Sequence, residues 1–186
     1  MKKKIIYDTK VLEFVTSTAE FCRLLENAGK EGSRDEFVKK LSKLLPLIYV
    51  QAVLLPETEA QGIVNLPDYV QEDDYRYVQN NVWQLLKADD EYLEMSHDEQ
   101  MHWSNEPEMK TVSEQLADIY QDLRNFVAVY AQGNEPSMEE ALSTVKDNFL
   151  VFWGEKAVSV MRPVHDLAWV HPFEENDTDY NTDNND

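Results

Sequence analysis

Apolar residues recur at intervals of three and four through almost the whole chain, and this spacing constrains the fold more than any other feature. Residues three or four positions apart lie on one face of an α-helix, so the repeat predicts amphipathic helices. No segment shows the persuasive apolar–polar alternation that is typical of a half-buried strand. The sequence therefore predicts an all-α fold, a bundle of five to six mostly antiparallel helices.

Glycines and capping residues predict the boundaries of the first two helices. The first helix is expected over residues 9–28 and should end before Gly29, because glycine readily adopts the left-handed conformation that closes a helix. Ser33 and Glu36 have the spacing of a capping box, in which each side chain bonds the other residue's backbone amide. They open a second helix, where Pro46 predicts a kink and not a break into two helices.

The remaining helices follow a loop that we expect over residues 56–67. Acidic residues at positions 72–74 mark the first turn of a third helix, where they favour the positive end of the helix dipole. A capping box at Thr111 opens a helix that runs to about residue 130. Another box at Ser137 opens the last helix, which runs to about residue 169.

The C-terminal segment differs in composition from the rest of the chain. Residues 173–186 are rich in Asn and Asp and lack an apolar anchor, so they cannot bury enough surface to fold. The sequence thus predicts one helical-bundle domain over residues 1–172, followed by a disordered acidic tail.

Residues 94–102 contain the Glu-x-x-His spacing twice, and this spacing supplies a carboxylate and an imidazole to di-metal sites in helical bundles. A capping box that begins at Ser96 opposes the metal interpretation, because it turns Glu99 back towards the backbone. Even on one continuous helix, His97 and His102 would lie about 140° apart around the axis. We therefore predict a short capped helix, no metal and no cofactor; a site at Glu99, His97 and His102 is the weaker alternative.

The chain carries 36 acidic and 17 basic residues, a formal net charge of −19. This charge repels nucleic-acid phosphate and anionic lipid, so we expect no direct binding to nucleic acid or to a membrane. A basic protein is the partner that the charge favours, and the oligomeric state is left open. The single cysteine, Cys22, is expected to be a buried hydrophobe, and the N-terminus lacks the apolar run of a signal peptide. Both features predict a cytoplasmic location.

Two charged sets lie on predicted helix faces. Glu114, Asp118 and Asp122 recur every fourth residue opposite an apolar stripe, which predicts a solvated face and not a ligand row for a hard cation. Lys156 falls inside the apolar stripe of the last helix, where an unpaired ammonium group is unfavourable. Its side chain should extend to the surface, which we favour, or meet a carboxylate inside the bundle.

The last helix also carries a candidate ligand site. A guanidinium, an imidazole, a carboxylate and an aromatic ring have the spacing of a common helix face and together can bind an anion or a planar ligand. These four residues are Arg162, His165, Asp166 and Trp169. Tyr120 or Trp153 would line the same site. Surface contacts and an intrahelical ion pair are the alternative interpretation, and we favour them.

Three motifs suggest a family. The stretch LADIYQDL at residues 116–123, then Trp153-Gly154, then Arg162-Pro163-Val164-His165, resembles an uncharacterised family of bacterial helical proteins, known only as a domain of unknown function and common among Bacteroides-like bacteria. The resemblance covers most of residues 8–169. It implies an all-α cytoplasmic domain and brings no activity, substrate or catalytic residue with it.

The sequence does not identify the function, and two hypotheses remain. The chain has no Gly-rich phosphate loop and no Gly-x-Ser-x-Gly motif, which favours a non-enzymatic binding or adaptor protein that acts through its acidic surface or the loop at residues 56–69. The alternative is a small-ligand-binding or enzymatic bundle with a site around Arg162, His165 and Asp166. The question of enzymatic activity stays open, leaning towards none.

Overall fold

The predicted helical bundle is confirmed. The structure is a computed structural model that describes residues 4–30, 32–58, 62, 64–95 and 107–171. Within these ranges the chain folds into α-helices and one small antiparallel sheet. The elements are α1 (Thr9–Glu26), α2 (Arg34–Val53), α3 (Glu72–Leu86), β1 (Glu91–Met95), β2 (Pro107–Thr111), α4 (Val112–Ala131), α5 (Glu135–Asn148) and α6 (Gly154–His165).

Helix α4 is the centre of the bundle, because it packs against α1, α3, α5 and α6, while α2 covers α1 and α6. Its apolar stripe is buried along its length. Aromatic rings fill the space between the helices: Phe14 of α1 packs against Phe126 of α4, with ring centres 5.5 Å apart, and stacks on Trp153 at 6.4 Å. Burial of such rings is the largest favourable contribution to a core of this kind. Cys22 is buried in the same core, as predicted.

Most helix boundaries follow the predicted capping residues. Ser33 forms a full capping box, and α2 continues through Pro46 as one helix. Thr111 accepts the Glu114 amide at the start of α4. The box predicted at Ser137 is wrong, because α5 begins earlier, at Glu135. The Asn134 side chain accepts both the amide and the hydroxyl of Ser137, so Ser137 lies inside the first turn.

The predicted long last helix is one helical run with two wider turns. Segments Phe149–Trp153 and Asp166–Val170 have π-helical geometry, and the first joins α5 to α6 without a break. At the first junction the Gly154 amide donates to the Phe149 carbonyl five residues back. A Cβ atom at position 154 would lie 2.3 Å from that carbonyl oxygen. The wide turn therefore depends on a glycine at this position.

The expectation that no segment forms a strand is wrong for β1 and β2. The two strands pair antiparallel, with Leu93 opposite Met109. The alternation is present but partly inverted, because the half-buried residues of β1 are Tyr92 and Glu94, while the apolar Leu93 and Met95 are exposed together with Glu91. A pattern search that expects apolar residues on the inner face does not recognise such a strand.

Two favoured predictions about charged residues are also wrong. Lys156 does not extend freely to the surface but meets a carboxylate inside the bundle, which was the alternative: its Nζ atom lies 2.7 Å from Asp118 Oδ2, and both side chains are mostly buried. Asp118 and Asp122 are half-buried, so the face that carries them is not solvated throughout. Helix α4 is surrounded by neighbours, and the side opposite its apolar stripe also meets other helices.

Several predicted features lie outside the described residues. They include the capping box at Ser96, the weak metal alternative at Glu99, His97 and His102, and the tail at residues 173–186. Among the helices that the structure describes, none is long and apolar enough to cross a membrane.

Candidate functional site

A cleft of about 490 Å³ opens between the C-terminal end of α1, the start of α3 with its preceding loop, and the middle of α4. Its volume lies in the range of about 300 to 1,000 Å³ that is common for ligand pockets. Seven charged or tyrosine side chains line it, and we call it the tyrosine cleft. They are Glu26, Lys30, Tyr69, Asp74, Tyr77, Tyr120 and Arg124.

The base of the tyrosine cleft is a cluster of three side chains that share one oxygen atom. Glu26 Oε1 accepts the Tyr120 hydroxyl at 2.9 Å and the Arg124 Nε–H at 3.0 Å. Tyr120 and Arg124 lie one turn apart on α4, so both reach the end of α1 together. Burial and the neighbouring Glu26 carboxylate raise the pKa of Tyr120. Tyr120 therefore remains a protonated donor at neutral pH.

The guanidinium of Arg124 has N–H donors that bind none of the described residues. Its ion pair with Glu26 uses Nε, and its terminal nitrogens make no hydrogen bond to any other residue that the structure describes. The side chain is 39% exposed. A guanidinium has five N–H donors in a planar fork, and the free pair matches the two oxygens of a carboxylate. Arg124 can therefore hold Glu26 and an external anion at the same time.

Two tyrosine rings form the walls of the cleft. The Tyr77 hydroxyl donates to the Glu26 backbone carbonyl at 3.3 Å, and the Lys30 ammonium group donates to the same hydroxyl oxygen. On the other side, Asn125 Oδ1 accepts the backbone amides of Tyr69 and Val70 at 2.8 and 2.9 Å. This bond fastens the loop before α3 to α4. The Tyr69 ring is thereby held at the rim of the cleft.

The formal charges in the tyrosine cleft balance. Lys30 and Arg124 supply two positive charges, and Glu26 and Asp74 supply two negative ones. The whole chain, in contrast, has a net charge of −19. The cleft is thus a locally neutral region that offers both a cation and an anion beside aromatic rings.

The structure does not gather the six predicted ligand residues into one site. Arg162 and His165 are exposed at the end of α6, and no hydrogen bond or ion pair joins them to Asp166 within the described part of the chain. Trp169 is also exposed. His165 lines a shallow groove against α2, beside Pro46. These four residues remain a prediction as a ligand site.

The other two predicted residues lie elsewhere. Trp153 is completely buried, and its indole N–H donates to the Val145 carbonyl at 2.9 Å, so it belongs to the core. Tyr120 lies in the tyrosine cleft. The remaining cleft residues were missed by sequence reasoning, because Glu26 and Arg124 are 98 positions apart. The one local signal was the four-residue spacing of Tyr120 and Arg124 on a predicted helix.

No three His, Cys, Asp or Glu side chains are arranged to hold a metal ion among the residues that the structure describes. Nor is Cys22, which lies beneath the cleft, a ready nucleophile, since burial raises the pKa of its thiol. The cleft offers hydrogen bonds, charges and rings.

The fold and its cleft define an all-α bundle with a solvent-accessible polar pocket, and comparison with known proteins gives its family. The chain belongs to the family described as domain of unknown function DUF5063, whose model matches residues 5–169. It is similar to protein BF1032 from Bacteroides fragilis, a structural genomics crystal structure, with 37% sequence identity and a TM-score of 0.80. The match covers 91% of this chain and 98% of that chain. No curated protein matches this chain.

Proposed function

We propose that this protein is a non-enzymatic binding protein that takes a small zwitterionic ligand with an aromatic or other planar group into the tyrosine cleft. The observation that carries the proposal is the charge balance of the cleft, with Arg124 and Lys30 facing Glu26 and Asp74 beside two tyrosine rings. An aromatic amino acid has the matching groups: a carboxylate for Arg124, an ammonium for the carboxylates and a ring for the tyrosines.

The net charge of the chain supports a ligand without net charge. A chain at −19 raises the free energy of any approaching anion, and this penalty grows with the charge of the ligand. A polyphosphate would therefore meet long-range repulsion that one guanidinium and one ammonium in the cleft cannot offset. A zwitterion has no net charge, so it does not meet this repulsion, and its two charged groups can still pair with the cations and the anions of the cleft.

The hydrogen bonds of the cleft support binding in preference to catalysis. The hydroxyls of Tyr77 and Tyr120 both donate to Glu26, so their protons are already engaged. The raised pKa of Tyr120 also makes it a poor general base at neutral pH. These groups hold the shape of the cleft, and Arg124 keeps its free donors for a ligand.

The test uses three probes that share a phenyl ring and differ in their charged groups: L-phenylalanine, phenylacetate and phenethylamine. Isothermal titration calorimetry should show that L-phenylalanine binds about tenfold tighter than either singly charged analogue. Arg124→Gln should weaken the binding of L-phenylalanine by about tenfold or more, because it removes the guanidinium that pairs with the carboxylate of the ligand. Arg76→Gln, which removes an exposed arginine of α3 that does not line the cleft, should leave the affinity unchanged.

Three outcomes would overturn the proposal. If phenylacetate binds as tightly as L-phenylalanine, the site recognises anions and not zwitterions. If none of the three probes gives a saturable signal up to millimolar concentration, or if Arg76→Gln weakens binding as much as Arg124→Gln, the cleft is not the site. Thermal melting of each variant shows whether a lost signal reflects lost folding.

The adaptor hypothesis remains a second candidate, and a different surface, the hairpin of β1 and β2, favours it. We also propose a cytoplasmic location, which the single buried thiol of Cys22 supports, because a chain with one cysteine gains no intramolecular disulfide from an oxidising compartment.

A further inference from the structure

The inner face of the β1–β2 hairpin is held by polar side chains. Ser159 of α6 donates its hydroxyl proton to Glu94 at 2.8 Å, and it therefore accepts the Tyr92 hydroxyl at 2.6 Å. Lys110 of β2 forms an ion pair with the same Glu94 side chain. Each group of this network has a partner, so the hairpin is fastened to α6 through its polar face.

Four of the six residues on the outer face of the hairpin are apolar, and the other two are Glu91 and Thr111. Side chains alternate along a strand, and a slip of one residue would exchange the two faces, so the inner network specifies which residues point outwards. The side chains of Leu93, Met95 and Met109 are 61%, 53% and 60% exposed. Pro107 pairs with Met95 and extends the same surface. We call these four residues the hairpin patch.

We infer that the hairpin patch is a docking surface for a basic protein. Residues 87–95 and 107–114 contain six acidic residues and two lysines. Asp90 is buried, Asp89 is paired with Arg34, and Glu94 is paired with Lys110. The other three acids, Glu91, Glu108 and Glu114, outnumber Lys87 and leave negative charge beside the patch. A partner with apolar side chains flanked by Lys and Arg complements both properties. The two methionines suit such a surface, because their flexible thioether chains adapt to the shape of a partner.

Charge argues against a second copy of this chain as the occupant. Two chains of −19 each would bring the same acidic surroundings face to face, and like charges across an interface are unfavourable. In addition, each strand of the described sheet has one neighbour, so its outer edge offers unpaired amides and carbonyls to an added strand. A basic segment in extended conformation can use this edge and the apolar face together.

The test places a photo-crosslinking amino acid, p-benzoylphenylalanine, at position 93 in the native host. The matched control carries the same group at position 150, since Leu150 is also strongly exposed but lies on the helical run. A protein that crosslinks at position 93 and not at 150 is identified, produced in pure form and titrated against the purified chain. We expect a basic protein whose affinity falls as ionic strength rises from about 0.05 to 0.5 M.

Two variants then tie the affinity to the patch. Leu93→Glu and Met109→Glu should each lower the affinity for the purified partner by about tenfold or more, whereas Leu150→Glu should leave it unchanged. The inference is overturned if the crosslinked species is a second copy of this chain, if the partner is acidic, if both patch variants bind as well as the unmodified chain, or if position 93 captures nothing. Because the hairpin patch and the tyrosine cleft share no residue, either proposal can fail alone.

Discussion

Lys156 of α6 and Asp118 of α4 form an ion pair of 2.7 Å, with side chains that are only 22% and 19% exposed. Asp118 uses its other oxygen to accept the Tyr75 hydroxyl at 2.8 Å, so one carboxylate connects three helices. Lys156 also lies over the Phe152 ring, 4.7 Å from its centre. The pair is a structural bond inside the bundle and not a surface contact.

Removing one member of this pair should destabilise the protein strongly. Asp118→Asn leaves the Lys156 ammonium in a mostly buried position without its counter-charge, and we expect a loss of about 3 kcal/mol in the free energy of unfolding. A double-mutant cycle with Lys156→Met should give a coupling energy of about 1 kcal/mol or more. Urea unfolding of the four proteins measures both values.

The exposed pair of Arg76 and Glu72 on α3 is the control for that cycle. Its side chains are 66% and 74% exposed, and such pairs contribute about 0.5 kcal/mol or less. Equal coupling energies for the two pairs would show that the Asp118 pair behaves as a surface contact after all. High salt should weaken the control and leave the inner pair nearly unchanged.

Asp122 should make stability depend on pH. Its Oδ1 atom accepts the Asn148 amide at 2.7 Å, whereas its buried Oδ2 atom has no partner among the described residues. Burial raises the pKa of Asp122, and the charge of Asp118 adds to this effect. Because the pKa of Asp122 is raised in the folded state, protonation of this carboxyl group stabilises the fold. This stabilisation is fully present below the pKa of the unfolded state, and it is lost as the pH rises through the pKa of the folded state.

At neutral pH, Asp122→Asn should therefore stabilise the fold by about 1 kcal/mol, because it removes a buried charge and keeps the bond to Asn148. The gain in the free energy of unfolding should shrink as the pH falls towards 3.8, the ordinary pKa of an aspartate. Chemical unfolding across this range measures it. Asp147→Asn removes an exposed charge from α5, and its effect should stay within about 0.5 kcal/mol. A constant gain at all pH values would exclude the titration of Asp122 as the cause.

The sequence predicted those parts of the fold that depend on neighbours along the chain. Helix α2 begins at the Ser33 capping box as expected, because its signal lies within four residues. The tyrosine cleft was not predictable in this way, since Glu26 meets Arg124 only after the bundle has formed. The burial of Asp118 likewise depends on α6.

The hairpin was missed for a different physical reason. Its apolar residues point outwards and its polar residues bond to Ser159, which lies 67 positions after Tyr92. Local patterning assumes that apolar side chains seek the core, and this assumption fails where a polar network fastens a strand.

Gly154 should be sensitive to the smallest side chain. A Cβ atom there would lie 2.3 Å from the Phe149 carbonyl oxygen and 2.9 Å from its ring, so Gly154→Ala has to displace the wide turn between α5 and α6. We expect a loss of about 3 kcal/mol, visible as a fall in Tm. Gly29→Ala is the control: Gly29 has a φ of 76° but open space around it, so only backbone strain of about 1 kcal/mol should result. A smaller effect at position 154 than at 29 would contradict the packing argument.

Trp153 and Trp169 lie on the same helical run, but Trp153 is buried in the core and Trp169 is exposed, so substitution should affect stability at position 153 and not at position 169. Trp153→Phe removes the N–H bond to the Val145 carbonyl and leaves unfilled space beside Phe14, so the free energy of unfolding should fall by about 2 to 3 kcal/mol. Trp169 is 52% exposed, and Trp169→Phe should change the free energy of unfolding by less than about 0.5 kcal/mol. Urea unfolding followed by circular dichroism measures both without relying on tryptophan fluorescence. If Trp153→Phe is as mild as Trp169→Phe, the indole is not held in the core, and Trp153 becomes available again to a ligand site.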